Sequence, residues 1–164
     1  MFYEEVFREL NKKKVKYVVA GGMAVNLHGV PRVTGDLDLI IYLGIENISK
    51  FSKAMEELGY KPKIPVKIED FSVEKKREDW IKNKGMVVFS LWNKDIPYRI
   101  IDVFVKDLVD FKELYKDRVN IRAGMFKIPV VSIEHLIRLK QMAGRKQDIS
   151  DIVSLKRAKK LGMK

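Results

Sequence analysis

The chain has 164 residues, 46% apolar and 34% charged, with a net charge of +11, which fits one soluble globular domain and excludes a disordered polymer. No run approaches the roughly 18 apolar residues of a membrane span, and the start, MFYEEVFREL, is not a signal peptide. Cysteine is absent, which excludes a disulfide framework, a thiolate nucleophile and a thiolate metal site, so a cytoplasmic location without membrane contact is expected. The positive charge favours anionic partners such as nucleotides or RNA, although a lysine-rich solvated surface, or the Lys/Glu enrichment of thermophiles, gives the same balance.

In chain order, Phe2, Val6 and Leu10 are spaced four apart and predict an amphipathic opening helix ending near residues 11–13. A first strand is expected over about 16–20. Met23, Val25 and Leu27 lie on a short helix that stops before Gly29-Val30-Pro31, where proline fixes the loop. A strand over about 36–43, apolar on both faces beyond its start, belongs at the centre of a sheet. Ile48, Phe51, Met55 and Leu58 give a helical period with Gly59 as its stop. Residues 60–70, with two prolines, read as a loop or edge segment, and a polar helix follows over about 73–82. Met86–Leu91 and Tyr98–Val105 flank a turn at residues 93–95 and predict an antiparallel hairpin. A helical turn near 110–115 and a strand over about 126–131 precede Ser132, an expected N-cap. Ile133, Leu136, Ile137 and Met142, then Ile149, Ile152, Val153 and Leu155, mark two final amphipathic helices. The alternation of strands and helices argues for an α/β or α+β sheet covered by helices.

The chemistry concentrates in Gly21–Asp38, GGMAVNLHGVPRVTGDLD. Residues i and i+2 of a strand share a face, so Asp36 and Asp38 are expected to present both carboxylates on one side. Two such charges repel unless a cation lies between them, and magnesium takes one or two carboxylates together with substrate phosphates. Gly21-Gly22 lets backbone approach a phosphate, and a helix starting there aims free N–H groups at an anion. Further on, Asp102 interrupts the strand-like run Arg99–Val105. A charge inside a strand is costly unless it is paired or binds a cation, so Asp102 is either a third ligand or a carboxylate satisfied by a lysine or a strand edge.

A Gly-Gly pair at a strand-to-helix turn followed by Asp-x-Asp on the next strand resembles the nucleotidyltransferase superfamily typified by DNA polymerase beta. The form here, GG-M-A, H-G, R-x-T and D-L-D-L, is similar to small prokaryotic members, among them AbiEii-like toxin transferases and the lincosamide and aminoglycoside nucleotidyltransferases. The segment K-x-x-A-G-R-x-x-D-x-x-D, from Lys140 to Asp151, resembles the AbiEii-like pattern after the core. The resemblance implies a mixed central sheet flanked by helices, with one domain over 1–164, its core about 1–131 and a C-terminal helical pair about 132–161. It implies two magnesium ions (manganese as a substitute), with Asp36 and Asp38 holding both. Asp102 holds the one at the nucleophile and accepts its proton, and a hydroxyl attacks the α-phosphate of an NTP with pyrophosphate leaving. Gly21 and Gly22 would contact the triphosphate, as would Arg32, Thr34 and Lys140.

Those last three rest on resemblance more than spacing. A loop arginine in solvent and a turn threonine explain Arg32 and Thr34 equally well. Lys140 sits at the edge of an apolar stripe, where a lysine is unexpected, but Lys156 bears the same relation to the last helix, and snorkelling explains both. Arg145 and Lys146 are candidates for a substrate phosphate or RNA, with Asp148 and Asp151 orienting them or stabilising a helix start. His28 and His135 are expected to be structural. From residue 138 onward nine Lys/Arg stand against Asp148 and Asp151, which favours an anionic acceptor such as tRNA; a protein acceptor is also open, and an antitoxin-type partner is considered. The competing readings are a catalytically silent NTP- or RNA-binding half of a toxin–antitoxin pair, and an antibiotic-modifying transferase. The latter, acting on cationic aminoglycosides, requires an acidic acceptor pocket.

Overall fold

The computed structural model describes residues 1–162; Met163 and Lys164, the latter one of the nine C-terminal cations, lie outside them. Seven strands form one mixed sheet: β1 Tyr17–Ala20, β2 Leu37–Ile41, β3 Tyr60–Pro62, β4 Val88–Asn93, β5 Ile100–Phe104, β6 Val119–Ala123 and β7 Phe126–Val130, in the order β3-β4-β5-β2-β1-β7-β6. Helices α1 Glu4–Lys12, α2 Gly21–Leu27, α3 Ile45–Glu57, α4 Glu74–Lys84, α5 Phe111–Lys116, α6 Ile133–Ala143 and α7 Lys146–Lys160 flank it, with a 3-10 turn at Ile68–Ser72. None of these helices is long and apolar enough to cross a membrane.

Every residue of β1 is buried, as are Leu37, Leu39, Ile40 and Ile41 of β2, which explains their unbroken apolar runs: central strands have no solvent face. β1 and β2 run antiparallel with Ala20 opposite Asp38, and β2 and β5 run parallel with Asp38 opposite Asp102. The hairpin β4–β5 then sets Ser90 opposite Asp102. One row across four strands therefore reads Ala20, Asp38, Asp102, Ser90, and register partners share a face of the sheet.

The edge segment at 60–62 is β3, paired with β4. Four expectations are corrected. β6, absent from the sequence reading, pairs with β7 in a hairpin closed by Gly124 at φ 61°; its alternation Val-Asn-Ile-Arg-Ala is a usable strand signal. Phe2 is exposed ahead of α1, and the fully buried Tyr3 takes its place beside Val6, Phe7 and Leu10. Met142 lies outside the buried stripe of α6, exposed at its end. In α7, Ile149 and Val153 are exposed and the inward face is Asp148, Asp151, Leu155 and Ala158. Two carboxylates can face inward there because α6, against which α7 packs, offers them a lysine.

Candidate active site

The chain leaves β1 at Ala20 and turns at Gly21, whose φ of 61° is the left-handed conformation that glycine adopts without strain. A Cβ at Gly21 would overlap the Asp38 carboxylate, so that side chain lies directly on the turn. A Cβ at Gly22 would overlap the Arg32 guanidinium and the Thr34 hydroxyl. The loop between α2 and β2 thus folds back over the second glycine, and a side chain rests on each of the two glycines.

A cleft of about 590 Å³ opens beside this turn, with Gly21, Asp38, Asp102, Lys140, Arg145 and Asp148 on its walls. Val87, Leu136, Leu139 and Met142 add an apolar side. Gly22, Arg32, Thr34 and Asp36 do not line it. Asp36 precedes β2 in an exposed bend, so the strand rule that pairs residues i and i+2 does not reach it. The expected cluster of three carboxylates is realised as a facing pair with an outlying third. Among the described residues no three His, Cys, Asp or Glu side chains converge as a ready metal-ligand set.

The pair is electrostatically unsatisfied. Burial pushes the Asp38 carboxyl up to about 7, reinforced by the charges of Asp102 and Asp36 and opposed by Arg145 and Lys140. Burial also raises Asp102, whose shift the Ser90 hydroxyl restrains by donating to Oδ1 at 2.5 Å. Two oxygen-donor groups that repel each other in a half-buried cleft fit a hard divalent cation, which ordinarily takes one or two carboxylates with substrate phosphates filling the other positions.

Lys140 departs furthest from a snorkelling surface lysine. It is buried, with Nζ donating to Asp151 Oδ2 at 2.8 Å and to Asp148 Oδ1 at 3.4 Å. Lys156, which sequence spacing could not separate from it, is exposed. Arg32 Nε lies 3.3 Å from Asp151 Oδ1, and Arg145 Nε donates to Asp148 Oδ2 at 2.8 Å. Burial would raise Asp148, but the side-chain and backbone N–H groups of Arg145, with Lys140 behind them, hold it below the usual carboxylate range. The network ties the loop over Gly22 to α6 and α7; Asp148 does orient Arg145, while the Lys140 and Arg32 partnerships reach α7 from another helix and from the loop and leave no mark in local spacing. Lys146 is exposed and pairs with no carboxylate among the described residues.

Both histidines are fixed by packing partners. His28 Nε2 lies 2.7 Å from the Val131 carbonyl oxygen. The His135 ring meets the Ser132 hydroxyl and the Glu113 carboxylate, each at 3.2 Å.

A glycine turn set against carboxylates on adjacent parallel strands, in a mixed sheet with helical cover, is the arrangement of the nucleotidyltransferase class. Residues 3–164 match the family described as "Nucleotidyltransferase of unknown function (DUF6036)", and the chain belongs to that family of transferases. No curated protein matches it. Among solved structures it resembles the lincosamide antibiotic adenylyltransferase LnuA with lincomycin bound: 20% identity, 93% of this chain and 95% of that chain covered, TM-score 0.61. It also resembles a putative nucleotidyltransferase from Thermotoga maritima, at 20% identity over 89% of this chain and 84% of that one, TM-score 0.56. A third, ANT(2'')-Ia in complex with adenylyl-2''-tobramycin, gives 14% identity, coverages of 92% and 83%, and a TM-score of 0.58. At these identities the likeness is one of fold.

Proposed function

We propose that the protein transfers a nucleoside monophosphate from an NTP to a hydroxyl acceptor, releasing pyrophosphate, in a reaction that depends on magnesium. The observation that carries this reading is the Asp38–Asp102 pair, directly opposed across β2 and β5 and lying against the Gly21 turn. Asp38 and Asp102 would hold the metal, with Asp36 as an outer ligand, and when bound it neutralises phosphate charge and acidifies the acceptor hydroxyl. The Gly21 backbone admits the triphosphate. Arg145, on the cleft wall, offers the phosphates a guanidinium whose charge is secured by its bond to Asp148. Lys140 is committed to two aspartates and acts by holding α6 and α7 in place. Arg32 and Thr34 steady Gly22 from outside the cleft. Asp102, raised by burial, accepts the acceptor's proton.

The acceptor favoured is RNA, tRNA included, on the strength of the chain's positive charge. A second reading, modification of an antibiotic, draws on the likeness to LnuA across nearly the whole chain and on the apolar side of the cleft. The three cations on the cleft wall, Lys106, Lys140 and Arg145, are matched by Asp38, Asp102 and Asp148, so the acidic pocket that a cationic aminoglycoside calls for is not pronounced. The test is incubation of the purified protein with each α-labelled NTP and magnesium, against tRNA, protein, lincosamide and aminoglycoside acceptors. Labelling that disappears with Asp38→Ala supports the reading. Silence with all four NTPs and every acceptor, although NTP binds, leaves a nucleotide-binding protein without transfer.

A further inference from the structure

A second cleft, of about 680 Å³, lies where the start of β1 meets the end of α5 and the β6–β7 hairpin. It shares no residue with the carboxylate cleft. Tyr17 is on its wall, three residues before the Ala20 end of β1, so about 10 Å of strand separates it from the catalytic turn. Its walls carry Lys14, Lys16, Arg118, Arg122 and Lys127 and no aspartate or glutamate. Among the described residues none of these five cations forms an ion pair, whereas Lys13, Lys76, Arg99, Lys140 and Arg145 all do.

The backbone keeps these cations where they are costly. Arg122 and Lys127 are direct register partners across the hairpin, and like charges facing each other across a ladder destabilise it. Lys14 has φ 57° just after α1, and Val15 N bonds back to Leu10 O. That is the left-handed position after a helix which glycine or asparagine ordinarily fills. Arg118 is already aimed: its guanidinium lies 3.8 Å from the Tyr115 ring centroid and donates through Nη1 to the Tyr115 carbonyl at 2.6 Å. At the hairpin tip Met125 is 98% exposed, between Arg122 and Lys127.

We infer that this cleft binds the phosphodiester backbone of an RNA strand. Five cations with no ion pair among the described residues exceed what a single phosphate needs, and the absence of acids from the lining fits a ligand of one charge sign rather than the mixed surface of a protein. Met125 and Phe126 set apolar surface among the cations, the interleaving that single-strand binding uses. Only the choice of RNA over DNA rests on the transferase reading above, through the hydroxyls an RNA acceptor supplies.

Fluorescence anisotropy with a labelled single-stranded RNA of about 20 nucleotides tests this in the full-length protein. Five phosphate contacts at about 0.7 each predict a slope of log K against log salt of roughly −3.5. Arg122→Glu turns the like-charge pair into an opposite-charge one. It is expected to melt no lower than the native protein while RNA affinity falls on the order of 10-fold. Lys75→Glu, exposed on α4, makes the same change in net charge and leaves most of the affinity intact. Unchanged affinity in Arg122→Glu, an equal loss in the α4 control, or binding of polyphosphate but not RNA overturns the inference. Tighter binding of DNA of the same sequence overturns the choice of RNA. Asp38→Asn still binds RNA if the inference holds, so failure of nucleotide transfer is read separately.

Discussion

Asp38 and Asp102 occupy the same level of two adjacent parallel strands, with the Ser90 hydroxyl bonded to Asp102 on one side and the charges of Arg145 and Lys140 acting on Asp38 from the other. Replacing Asp38 by asparagine removes one half of the proposed metal-binding pair and should lower NMP transfer by about 10²–10³-fold or more, by analogy with the loss of one preorganised charge-stabilising group. The same change should stabilise the protein in chelator. The folded-state Asp38 carboxyl, at about 7, lies above its ordinary 3.8, so ionising it costs stability that is absent at pH 4 and grows as pH rises to 7. Asp38→Asn should therefore melt about 2–4 °C higher than the native protein at pH 8 for each kcal/mol of repulsion relieved, and show no such gain at pH 4.

The two glycines should separate by their effects. Gly21→Ala puts a Cβ on a left-handed residue, costing about 1–2 kcal/mol, and drives it into the Asp38 carboxylate. Loss of both stability and kcat is expected. Gly22→Ala has no left-handed backbone to strain and meets the end of the flexible Arg32 side chain. Its stability loss should be the smaller of the two, with a raised KM for NTP. Thermal melts with steady-state kinetics on both variants decide between these patterns.

Lys140 is the cation that keeps two buried aspartates in place. Lys140→Met leaves Asp148 and Asp151 facing each other with Arg32 and Arg145 at their outer sides, and breaking a buried pair in this way costs roughly 3–5 kcal/mol. In an Asp151→Asn background the same substitution should cost less, with a coupling energy of about 0.5–3 kcal/mol. Urea denaturation of the four proteins completes the cycle; strict additivity would deny the network any role in joining α6 to α7.

His28 supplies the acid limb of the stability profile. Burial lowers its pKa below the ordinary 6.5, partly offset by the Val131 carbonyl. Below pH 6.5 the unfolded chain takes up a proton that the folded ring resists, so stability is present above that pH and is lost as pH falls. His28→Gln should raise the melting temperature relative to the native protein more at pH 5 than at pH 7, against the opposite contribution that Asp38 makes over that range.

Much of this site is legible in residue order because its parts are punctuation: paired glycines, Asp-x-Asp at a strand start, one charge within an apolar run. The nucleotidyltransferase fold and the hairpin carrying Asp102 follow from the same signals. What order does not convey is partnership between distant elements. Lys140 and Lys156 carry identical local spacing, and only the packing of α7 against α6 buries one and exposes the other. Asp36 and Asp38 are two residues apart, yet the strand begins between them, and a boundary shift of one residue changes which carboxylate the sheet positions. β6 is an edge strand paired only with β7, and over five residues its Val-Asn-Ile-Arg-Ala alternation is a short signal beside the long apolar runs of the central strands.

The Tyr3 hydroxyl donates its one proton to the Gly35 carbonyl at 2.5 Å, lies 3.1 Å from the Ile100 carbonyl oxygen, and accepts from the Ile100 amide at 3.2 Å. It thereby fastens the loop before Asp36 to the strand of Asp102 from a residue 97 positions away in the chain. Tyr3 and Ile100 must therefore meet before this clasp between the loop and β5 can form. Loops of that span close slowly, so catalytic competence should be among the last properties a refolding molecule regains, after its helices and hairpins have already formed.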